Sequence, residues 1–390
     1  MKNVLIIGSI GDFGGREVEV KNIIKALSPI YSVKLFSTFP MTEKSIVFND
    51  VNCQWTTLHK KLNNSNIILK GLSHLSKIIN KSNLPSYFLV DNKISRLLFD
   101  FDNKNLKIIQ KELNNVDAVL FCGTLTSGFL KEITQYCVNS NKPILFRTTG
   151  NIIVIPEHLK KTLSKITSII VHSKFNSLNL LNFAAGNIKI IDQTTLQEND
   201  LLKLPLESNG DFKFGYLGRF SPEKGIMELL DSFQQFNKKL VIGGSGPLLK
   251  EVKQKCIESP FLQYEGEIAA NQISEFFNKI DGLIIPSFEE AGPLVGIEAM
   301  AAGKIILSTK VGAMMERLEQ TPNQFWFDIN DQDSLLNEVS TIEHKNQDQI
   351  LNIRKQVRDR YIKQYSEKKI AASYLNLFEE AFQNIKTSQL

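Results

Sequence analysis

Two carboxylates, Glu290 and Glu298, stand eight positions apart in the segment Pro286–Gly303. The apolar run Gly282–Ile285 precedes them and predicts a β-strand, and a helix-like stretch begins near Leu294. The first carboxylate is therefore expected in a tight loop after a strand, and the second within the following helix. Ionised carboxylates accept strong hydrogen bonds from hydroxyl groups, and a helix N-terminus beside a tight loop suits a diphosphate. This combination indicates a nucleotide sugar.

Two cations, Arg219 and Lys224, occur in the run Tyr216–Gly225, again where a predicted strand passes into a helix. Two cations at such a strand end can hold a diphosphate and stabilise its charge as it leaves. The alternative is an ordinary surface Arg and Lys in a turn.

Two glycine-rich runs also follow predicted strands, Gly8–Glu17 near the N-terminus and Leu240–Leu249 in the second half. Glycines let the backbone approach a ligand closely, and the amides of the second run could line a nucleotide pocket. The first run is not a clean Gly-x-Gly-x-x-Gly dinucleotide fingerprint. Each run by itself could be only a tight connection.

Short β-rich runs alternate with helical stretches, which predicts parallel sheets covered by helices. The strand candidates are Asn3–Ile7, Ser32–Phe36, Ala118–Phe121, Pro143–Phe146, Ser168–Val171, Ile188–Ile191, Lys213–Leu217, Leu240–Ile242, Leu262–Tyr264, Gly282–Ile285, Ile305–Ser308 and Phe325–Phe327. Helices are predicted over Gly15–Leu27, Leu125–Asn139, Glu157–Lys165 and Lys174–Ala184. The polar segment Asp192–Asp211 is the linker candidate. The predicted divisions are an N-terminal domain (1–195), a C-terminal domain (206–365) and a C-terminal helix (366–390).

The composition, with 42% hydrophobic and 22% charged residues, is that of a globular chain. No apolar run reaches the roughly 18 residues that cross a bilayer, and the N-terminus is interpreted as a strand, not a signal peptide. The four cysteines have no pairing or metal spacing, which favours a reduced, cytoplasmic setting. Residues 1–205 carry 25 Lys and Arg against 15 Asp and Glu. This basic half is either solvated surface or a face for an anionic partner, such as a membrane surface.

The stretch between Thr56 and Asn115 lacks the strand–helix alternation. A helix over Leu62–Ile79 would place its apolar residues Ile68, Leu72, Leu75 and Ile79 on one face, with Lys60, Lys61, Lys70, Lys77 and Lys81 around it. One interpretation is a helix packed on the N-terminal sheet. The other is a basic amphipathic helix that faces a membrane or an acceptor.

Together these motifs resemble the retaining glycosyltransferases of the GT-B fold, the family 4 group. The resemblance covers essentially the whole chain and is strongest from about Phe212 to Arg317. It rests on Gly218–Gly225, Gly243–Pro247, the Glu290/Glu298 element and, more loosely, Gly14, Gly15 and Val171–Phe175. It implies an α/β fold with two Rossmann-like doubly wound domains that face a central cleft. It also implies a C-terminal helix that crosses back to the N-terminal domain.

The resemblance also implies a role for each matched residue. Arg219 and Lys224 hold the donor diphosphate. Glu290 contacts the sugar hydroxyls and, with the two cations, forms the expected catalytic set, whereas Glu298 binds the ribose. The further donor-binding positions are Gly14, Gly15, Gly218, Gly244, Gly246, Gly266, Ile268, Gly292, Pro293 and Leu294.

One departure concerns the acceptor side. Many members of the family carry a His at the end of an N-domain strand near the sugar, where this chain reads Phe146-Arg-Thr-Thr-Gly150. Arg147, Thr148 or Thr149 is expected in that space. No metal site is expected, and no cofactor beyond a UDP-sugar or GDP-sugar substrate. The two Asp-x-Asp sequences, Asp100–Asp102 and Asp331–Asp333, are interpreted as the start or the end of a helix.

The sequence thus predicts a retaining, metal-independent glycosyltransferase that uses a nucleotide-diphosphate-sugar, with a glycan or polyprenyl-diphosphate-linked acceptor. Assembly of a bacterial surface polysaccharide is the expected setting, in the cytoplasm or peripherally at the inner face of the cell membrane. No nucleic-acid motif occurs. The alternatives are a GT-B nucleotide-sugar epimerase or phosphorylase, and a non-catalytic GT-B subunit that binds a glycan.

Overall fold

The chain folds into two compact units, each built on one parallel β-sheet. The structure, a computed structural model, describes residues 1–207 and 210–387. The first unit holds Met1–Val171, Ser177–Ile191 and the chain from Ala371 onward, and the second holds His172–Asn176 and Asp192–Ile370. The prediction of two doubly wound α/β domains is confirmed. Residues 208 and 209 of the predicted linker and residues 388–390 of the predicted C-terminal helix lie outside the described residues.

The first unit contains a seven-stranded sheet in the order β3-β2-β1-β4-β5-β6-β7, with every pairing parallel. Its strands are β1 Asn3–Gly8, β2 Ser32–Ser37, β3 Gln54–Thr57, β4 Ala118–Gly123, β5 Ile144–Thr148, β6 Ser168–Val171 and β7 Ile188–Ile190. The helices up to residue 191 are α1 Gly15–Leu27, α2 Leu58–Asn64, α3 Ile67–Ile79, α4 Lys93–Leu98, α5 Phe101–Asn114, α6 Leu130–Asn139, α7 Glu157–Leu163, α8 Lys174–Ser177 and α9 Leu181–Ala184. Short 3₁₀ turns cover Ile46–Phe48, Ser86–Leu89, Leu178–Leu180 and Ala185–Asn187.

The second unit contains a six-stranded parallel sheet in the order β10-β9-β8-β11-β12-β13. Its strands are β8 Phe214–Arg219, β9 Leu240–Ser245, β10 Leu262–Tyr264, β11 Gly282–Ile285, β12 Ile305–Ser308 and β13 Phe325–Trp326. The helices are α10 Glu198–Leu202, α11 Ile226–Gln235, α12 Leu249–Glu258, α13 Ile273–Asn278, α14 Leu294–Ala301, α15 Met314–Leu318, α16 Gln332–Glu343 and α17 Gln347–Gln364, with 3₁₀ turns over Pro222–Lys224 and Ala270–Gln272.

The strand order reverses between β1 and β4 in the first unit and between β8 and β11 in the second. In doubly wound sheets, ligands bind outside the carboxyl ends of the strands at this switch point, because neighbouring loops there diverge and leave a crevice. The loops after β1, β8 and β11 carry Gly14, Lys224 and Glu290 of the predicted site.

The last helix, α18 (Glu367–Thr387), joins the first unit from Ala371 onward. Its side chains Phe378 and Phe382 pack against Tyr31, with ring centroids 5.9 and 5.7 Å away. Tyr374 is buried, and its hydroxyl donates to Glu19 at 3.5 Å. These aromatic contacts fix the helix on the first unit.

The helix predicted over Leu62–Ile79 is two helices, α2 and α3, and α3 does not pack its main apolar face on the sheet. Leu69 and Ser73 form the buried side of α3, whereas Ile68, Leu75 and Ile79 are 54%, 48% and 67% exposed. The interpretation of a helix packed on the sheet through that face is therefore wrong. The reason is geometric, because a hydrophobic stripe predicts an amphipathic helix but not which side its neighbours cover.

Candidate active site

The loop after β8 presents both predicted cations. Arg219 is the last residue of β8 and is exposed, and Lys224 ends the 3₁₀ turn Pro222–Lys224. Gly225 follows with a φ of +63°, and a Cβ there would lie 2.1 Å from the carbonyl oxygen of Pro286. Only glycine permits both this left-handed backbone and this approach. The loops after β8 and β11 are therefore locked together.

Lys224 and Glu290, 66 positions apart, meet in an ion pair between the ammonium and the carboxylate. Both side chains are partly buried. The amide of Phe288 donates to the Glu223 carbonyl at 2.9 Å, which adds a backbone tie between the same loops. The predicted diphosphate-binding lysine and sugar-binding carboxylate thus share one site at the switch point of the second sheet.

The glycines after β9 line up beside the end of β8. A Cβ at Gly244 would lie 1.9 Å from the Gly218 carbonyl oxygen, and one at Gly246 would lie 2.5 Å from the Phe220 carbonyl oxygen. Side chains are excluded here because backbone packs on backbone. The three predicted glycines, 218, 244 and 246, therefore lie together.

The segment after β10 joins this group. The amide of Gly244 donates to the Gly266 carbonyl at 2.9 Å. Ile268 packs against Gly243, where an added Cβ would come within 2.7 Å of its side chain. Gly266 itself has a φ of +91° and open space where a side chain would be. The space beside Gly266 is consistent with a bound group, and the prediction that the base lies there stays a prediction.

Helix α14 begins after the turn Gly292–Pro293 and carries Glu298 in its second turn. The first amides of this helix point toward its N-terminus, where Pro293 makes no side-chain cap. Glu298 is buried, and burial raises the pKa of its carboxyl to about 7. This carboxyl gains from any ligand hydroxyl that donates to it, because such hydrogen bonds replace lost contacts with water.

A buried ionic cluster, which the sequence did not predict, supports the turn before α14. Arg317 donates to both carboxylate oxygens of Asp192, at 2.7 and 2.8 Å, and to the Pro293 carbonyl at 2.6 Å. The ring of His172 lies 3.7 Å from the same carboxylate and, with Arg317, closes the space around Gly292. Arg317 holds the pKa of Asp192 well below its usual range. The motif Val171–Phe175 was the one sequence signal for this cluster.

The predicted residues of the first unit separate into two sets. Gly14 and Gly15 lie at the start of α1, and the neighbouring Arg16, which was not predicted, donates to the Thr149 hydroxyl at 3.0 Å. Thr149 is half-buried and lies just after β5, beside the glycine loop that follows β1.

Arg147 and Thr148, in contrast, are buried. Arg147 pairs with the Glu19 carboxylate and donates to the Ile191 carbonyl at 2.6 Å, and Thr148 donates to the Ile170 carbonyl at 3.1 Å. The prediction that Arg147 or Thr148 lies in the space near an acceptor is therefore wrong. Successive residues of a strand point to opposite sides, and both sides of β5 are covered here. Thr149, just past the strand, is the candidate that stays.

The Asp-x-Asp sequences are helix starts, as predicted. Asp100 accepts from the Asn103 amide at the N-terminus of α5, and Asp331 accepts from the Asp333 and Ser334 amides at the N-terminus of α16. Across residues 1–207 and 210–387, no group of three or more His, Cys, Asp and Glu side chains is placed to hold a metal ion.

Comparison with known proteins finds a family match within the second unit. Residues 200–364 match the family of glycosyl transferases group 1, a range that includes Arg219, Lys224, Glu290 and Glu298. An uncharacterized glycosyltransferase of Methanocaldococcus jannaschii is 32% identical over 123 residues, 30% of this chain and 34% of that protein. The lipopolysaccharide 1,2-N-acetylglucosaminetransferase of Salmonella typhimurium is 35% identical over 117 residues, 26% of this chain and 31% of that protein. The chain thus spans about a third of the length of these curated relatives.

Among solved structures, Anabaena HepE in complex with UDP-glucose superimposes with a TM-score of 0.70 at 16% identity, over 97% of this chain and 100% of that one. A likeness at this identity shows the fold, and the chain has the GT-B fold of two Rossmann-like units. Within the part of the chain that the structure describes, no helix is both long and apolar enough to span a bilayer.

Proposed function

We propose that this protein is a retaining glycosyltransferase of family 4 that transfers a sugar from a nucleotide-diphosphate-sugar to an acceptor hydroxyl. The observation that carries the proposal is the ion pair between Lys224 and Glu290, which unites the loops after β8 and β11 at the switch point of the second sheet. The match of residues 200–364 to glycosyl transferases group 1 supports the reaction class.

The cations suit the role of a diphosphate clamp. Arg219 is exposed at the end of β8, and Lys224 is partly buried, so both can approach a ligand outside the sheet. As the bond from the anomeric carbon to the phosphate oxygen breaks, negative charge grows on the departing diphosphate. Fixed cations and the amides at the start of α14 stabilise that charge more than the charge of the intact donor. The chain's own groups would thus supply the stabilisation that a divalent ion gives in other transferases.

The two carboxylates would divide the recognition of the donor. Lys224 neutralises the charge of Glu290 through their ion pair. A diphosphate would attract Lys224, and the Glu290 oxygens would then accept hydrogen bonds from sugar hydroxyls. Glu298, buried in α14, would accept from the ribose hydroxyls. Each carboxylate then holds one end of the donor while the clamp holds its centre.

Retention follows in this proposal from attack on the face that the leaving group vacates. The bond from the anomeric carbon to the acceptor oxygen forms as the bond to the phosphate oxygen breaks. The proton of the acceptor hydroxyl passes to the departing phosphate oxygen. No enzyme nucleophile is needed, and the three residues Arg219, Lys224 and Glu290 act by holding and neutralising charge.

The proposed donors are UDP-sugars or GDP-sugars, and the proposed acceptor is a glycan or a polyprenyl-diphosphate-linked glycan. Two similar proteins support this choice: the Anabaena protein in complex with UDP-glucose, and the lipopolysaccharide 1,2-N-acetylglucosaminetransferase of Salmonella. The setting would be assembly of a bacterial surface polysaccharide, in the cytoplasm or peripherally at the inner face of the membrane.

The test is release of nucleoside diphosphate from a panel of nucleotide sugars, with and without acceptor and with a chelator present. Arg219→Ala, Lys224→Ala and Glu290→Ala are each expected to lose about a hundredfold or more in turnover. Lys250→Ala, an exposed lysine in α12, is the matched control and should retain activity. Undiminished turnover in Arg219→Ala would overturn the clamp. A new sugar nucleotide formed without acceptor would indicate an epimerase instead.

A further inference from the structure

The outward side of α3 is an apolar stripe that no element within residues 1–207 and 210–387 covers. The side chains of Ile67, Ile68, Leu75, Ile78 and Ile79 are exposed, and Ile67 and Ile78 are the most exposed of them, at 86% and 73%. At 3.6 residues per turn these positions, with Gly71 between them, occupy one continuous side of the helix. Five aliphatic side chains in one line on a surface form the kind of patch that marks an interaction site.

The orientation of the stripe is fixed from the opposite side of α3. Leu69 is fully buried in a small core with Leu62, Val90 and Phe101. Ser73 is buried as well, and its hydroxyl donates to the Asn63 side chain at 2.6 Å. The helix cannot rotate its apolar stripe inward without breaking this core.

A second short helix extends the apolar surface. α4 contacts α3 and carries Ile94, Leu97 and Leu98, all exposed, with Leu97 at 86%. Its one buried residue is Ser95. Two neighbouring helices therefore both present aliphatic side chains to the surroundings.

The charged residues on α3 and in the segment around it are all lysines. Residues 51–90 contain five lysines and no Asp or Glu. Lys60 lies over the Trp55 ring and Lys61 pairs with Glu112 at 3.1 Å, so these two lysines make contacts within the first unit. Lys70 and Lys77 stand on α3 itself, on one flank of the stripe, and Lys81 follows its end. The stripe is thus bordered by cations that have no acidic counterpart in this stretch of chain.

We infer that α3, with α4 beside it, is a surface that docks the protein on an anionic phospholipid bilayer. An amphipathic helix that exposes aliphatic side chains and borders them with lysines lies in the bilayer interface, its apolar side among the acyl chains and its lysines at the headgroups. A second copy of the chain is the poorer occupant, because pairing two stripes would bring like charges together. The inference rests on the proposed function only for the choice of a bilayer as the partner.

The test is cosedimentation of the full chain with vesicles, in the absence of any donor or acceptor. Vesicles of phosphatidylcholine mixed with phosphatidylglycerol should bind the protein, and pure phosphatidylcholine vesicles should bind it far more weakly. Ile78→Ser is expected to weaken binding about tenfold, from the loss of one buried aliphatic side chain. Its matched control is Ile257→Ser, at an isoleucine 80% exposed on α12, which should bind as the unaltered chain does.

The lysines are tested in the same assay. Lys70→Gln with Lys77→Gln is expected to weaken binding to the anionic vesicles by about fivefold per lysine, and more in low salt than in high salt. The double variant Lys239→Gln with Lys250→Gln removes two exposed lysines from the second unit and should have no effect. Thermal unfolding should be unchanged in every variant, since none of these side chains is buried.

Three results would overturn the inference. The first is equal vesicle binding by Ile78→Ser and Ile257→Ser, and the second is no binding by the unaltered chain. The third is a dimer in sedimentation velocity that Ile78→Ser dissociates, which would assign the stripe to a second copy. The assay contains no sugar nucleotide, so none of these results would test the proposed transfer reaction, which is measured separately by nucleoside diphosphate release.

Discussion

Replacing Glu298 by Gln is expected to stabilise the second unit and, at the same time, to weaken nucleotide binding. Glu298 is 6% exposed, and burial raises the pKa of its carboxyl from 4.5 to about 7. The charged form is disfavoured because it loses its contacts with water. At about 1.4 kcal/mol per pH unit, the difference between the two pKa values corresponds to about 3 kcal/mol. The folded state bears this cost whenever the carboxyl is ionised.

The effect has a definite direction with pH. Below pH 4.5 the carboxyl is protonated in the folded and unfolded states alike, so no stability is lost. Between pH 4.5 and about 7 the unfolded chain releases the proton while the folded protein keeps it, so the free energy of unfolding falls as pH rises. Glu298→Gln has no such proton. The variant should match the parent below this window and exceed it by up to about 3 kcal/mol above it.

The two tryptophans let the measurement address one unit at a time. Trp326 ends β13 in the second unit, and Trp55 lies in β3 of the first. In a Trp55→Phe background, denaturant unfolding followed by Trp326 fluorescence reports the unit that contains Glu298. The comparison is made with and without Glu298→Gln across the pH window. Identical pH dependence in the two proteins would refute the assignment of a buried, protonated Glu298.

Nucleotide binding should change in the opposite direction. Hydrogen bonds to a charged acceptor contribute about 1.5–3 kcal/mol, so the amide in place of the carboxylate should weaken UDP or GDP binding tenfold or more in calorimetry. Glu338→Gln is the control, because burial also raises the pKa of that carboxyl, in α16. If Glu298→Gln destabilises the unit and binds nucleotide normally, Glu298 is a packing residue and the reasoning fails.

Four further outcomes are expected. In Lys224→Met the rate of nucleoside diphosphate release should fall about a hundredfold, and the thermal unfolding temperature should not change. Gly225→Ala should lower the free energy of unfolding by about 1–3 kcal/mol, since its φ is +63° and a Cβ would meet Pro286. Gly71→Ala, in the open on α3, should instead raise it by up to about 1 kcal/mol in the same denaturant titration. Burial lowers the pKa of Lys304 to about 7, so Lys304→Met should stabilise the protein most below pH 7, and a pH series of unfolding curves checks this.

The sheets could be predicted from the sequence because each depends on local patterns. Apolar runs bounded by turns mark parallel strands that are buried on both faces, and twelve such runs correspond to strands in the structure. The strand Gln54–Thr57 was missed because it lies at the sheet edge and is only partly buried. The helix predicted over Lys174–Ala184 is three short turns instead.

The loop residues of the candidate site were also within reach of the sequence. In a doubly wound sheet the loops after neighbouring parallel strands lie at the same edge of the sheet. The motifs after β8, β9 and β11 can therefore be placed close together from the predicted strand order alone. What could not be predicted is which polar residues the fold encloses. Arg147 lies on a strand that is covered on both sides, and the partner of Arg317 is Asp192, 125 positions away. Neither the burial of Arg147 nor the pairing of Arg317 with Asp192 can be recognised from the residues next to them in the sequence.

Glu290 and Glu298 differ in what compensates the charge of the carboxylate, and this difference affects how each would respond to the proposed donor. Glu290 has Lys224 against it, so its charge is balanced before any ligand arrives. Glu298 has burial instead, and its raised pKa favours the protonated carboxyl below about pH 7. In the proposed function, a donor that spans both residues would draw Lys224 to its phosphates and donate from its ribose hydroxyls to Glu298. Ribose binding would then favour the ionised form of Glu298, so nucleotide binding below about pH 7 should be accompanied by proton release from this carboxyl.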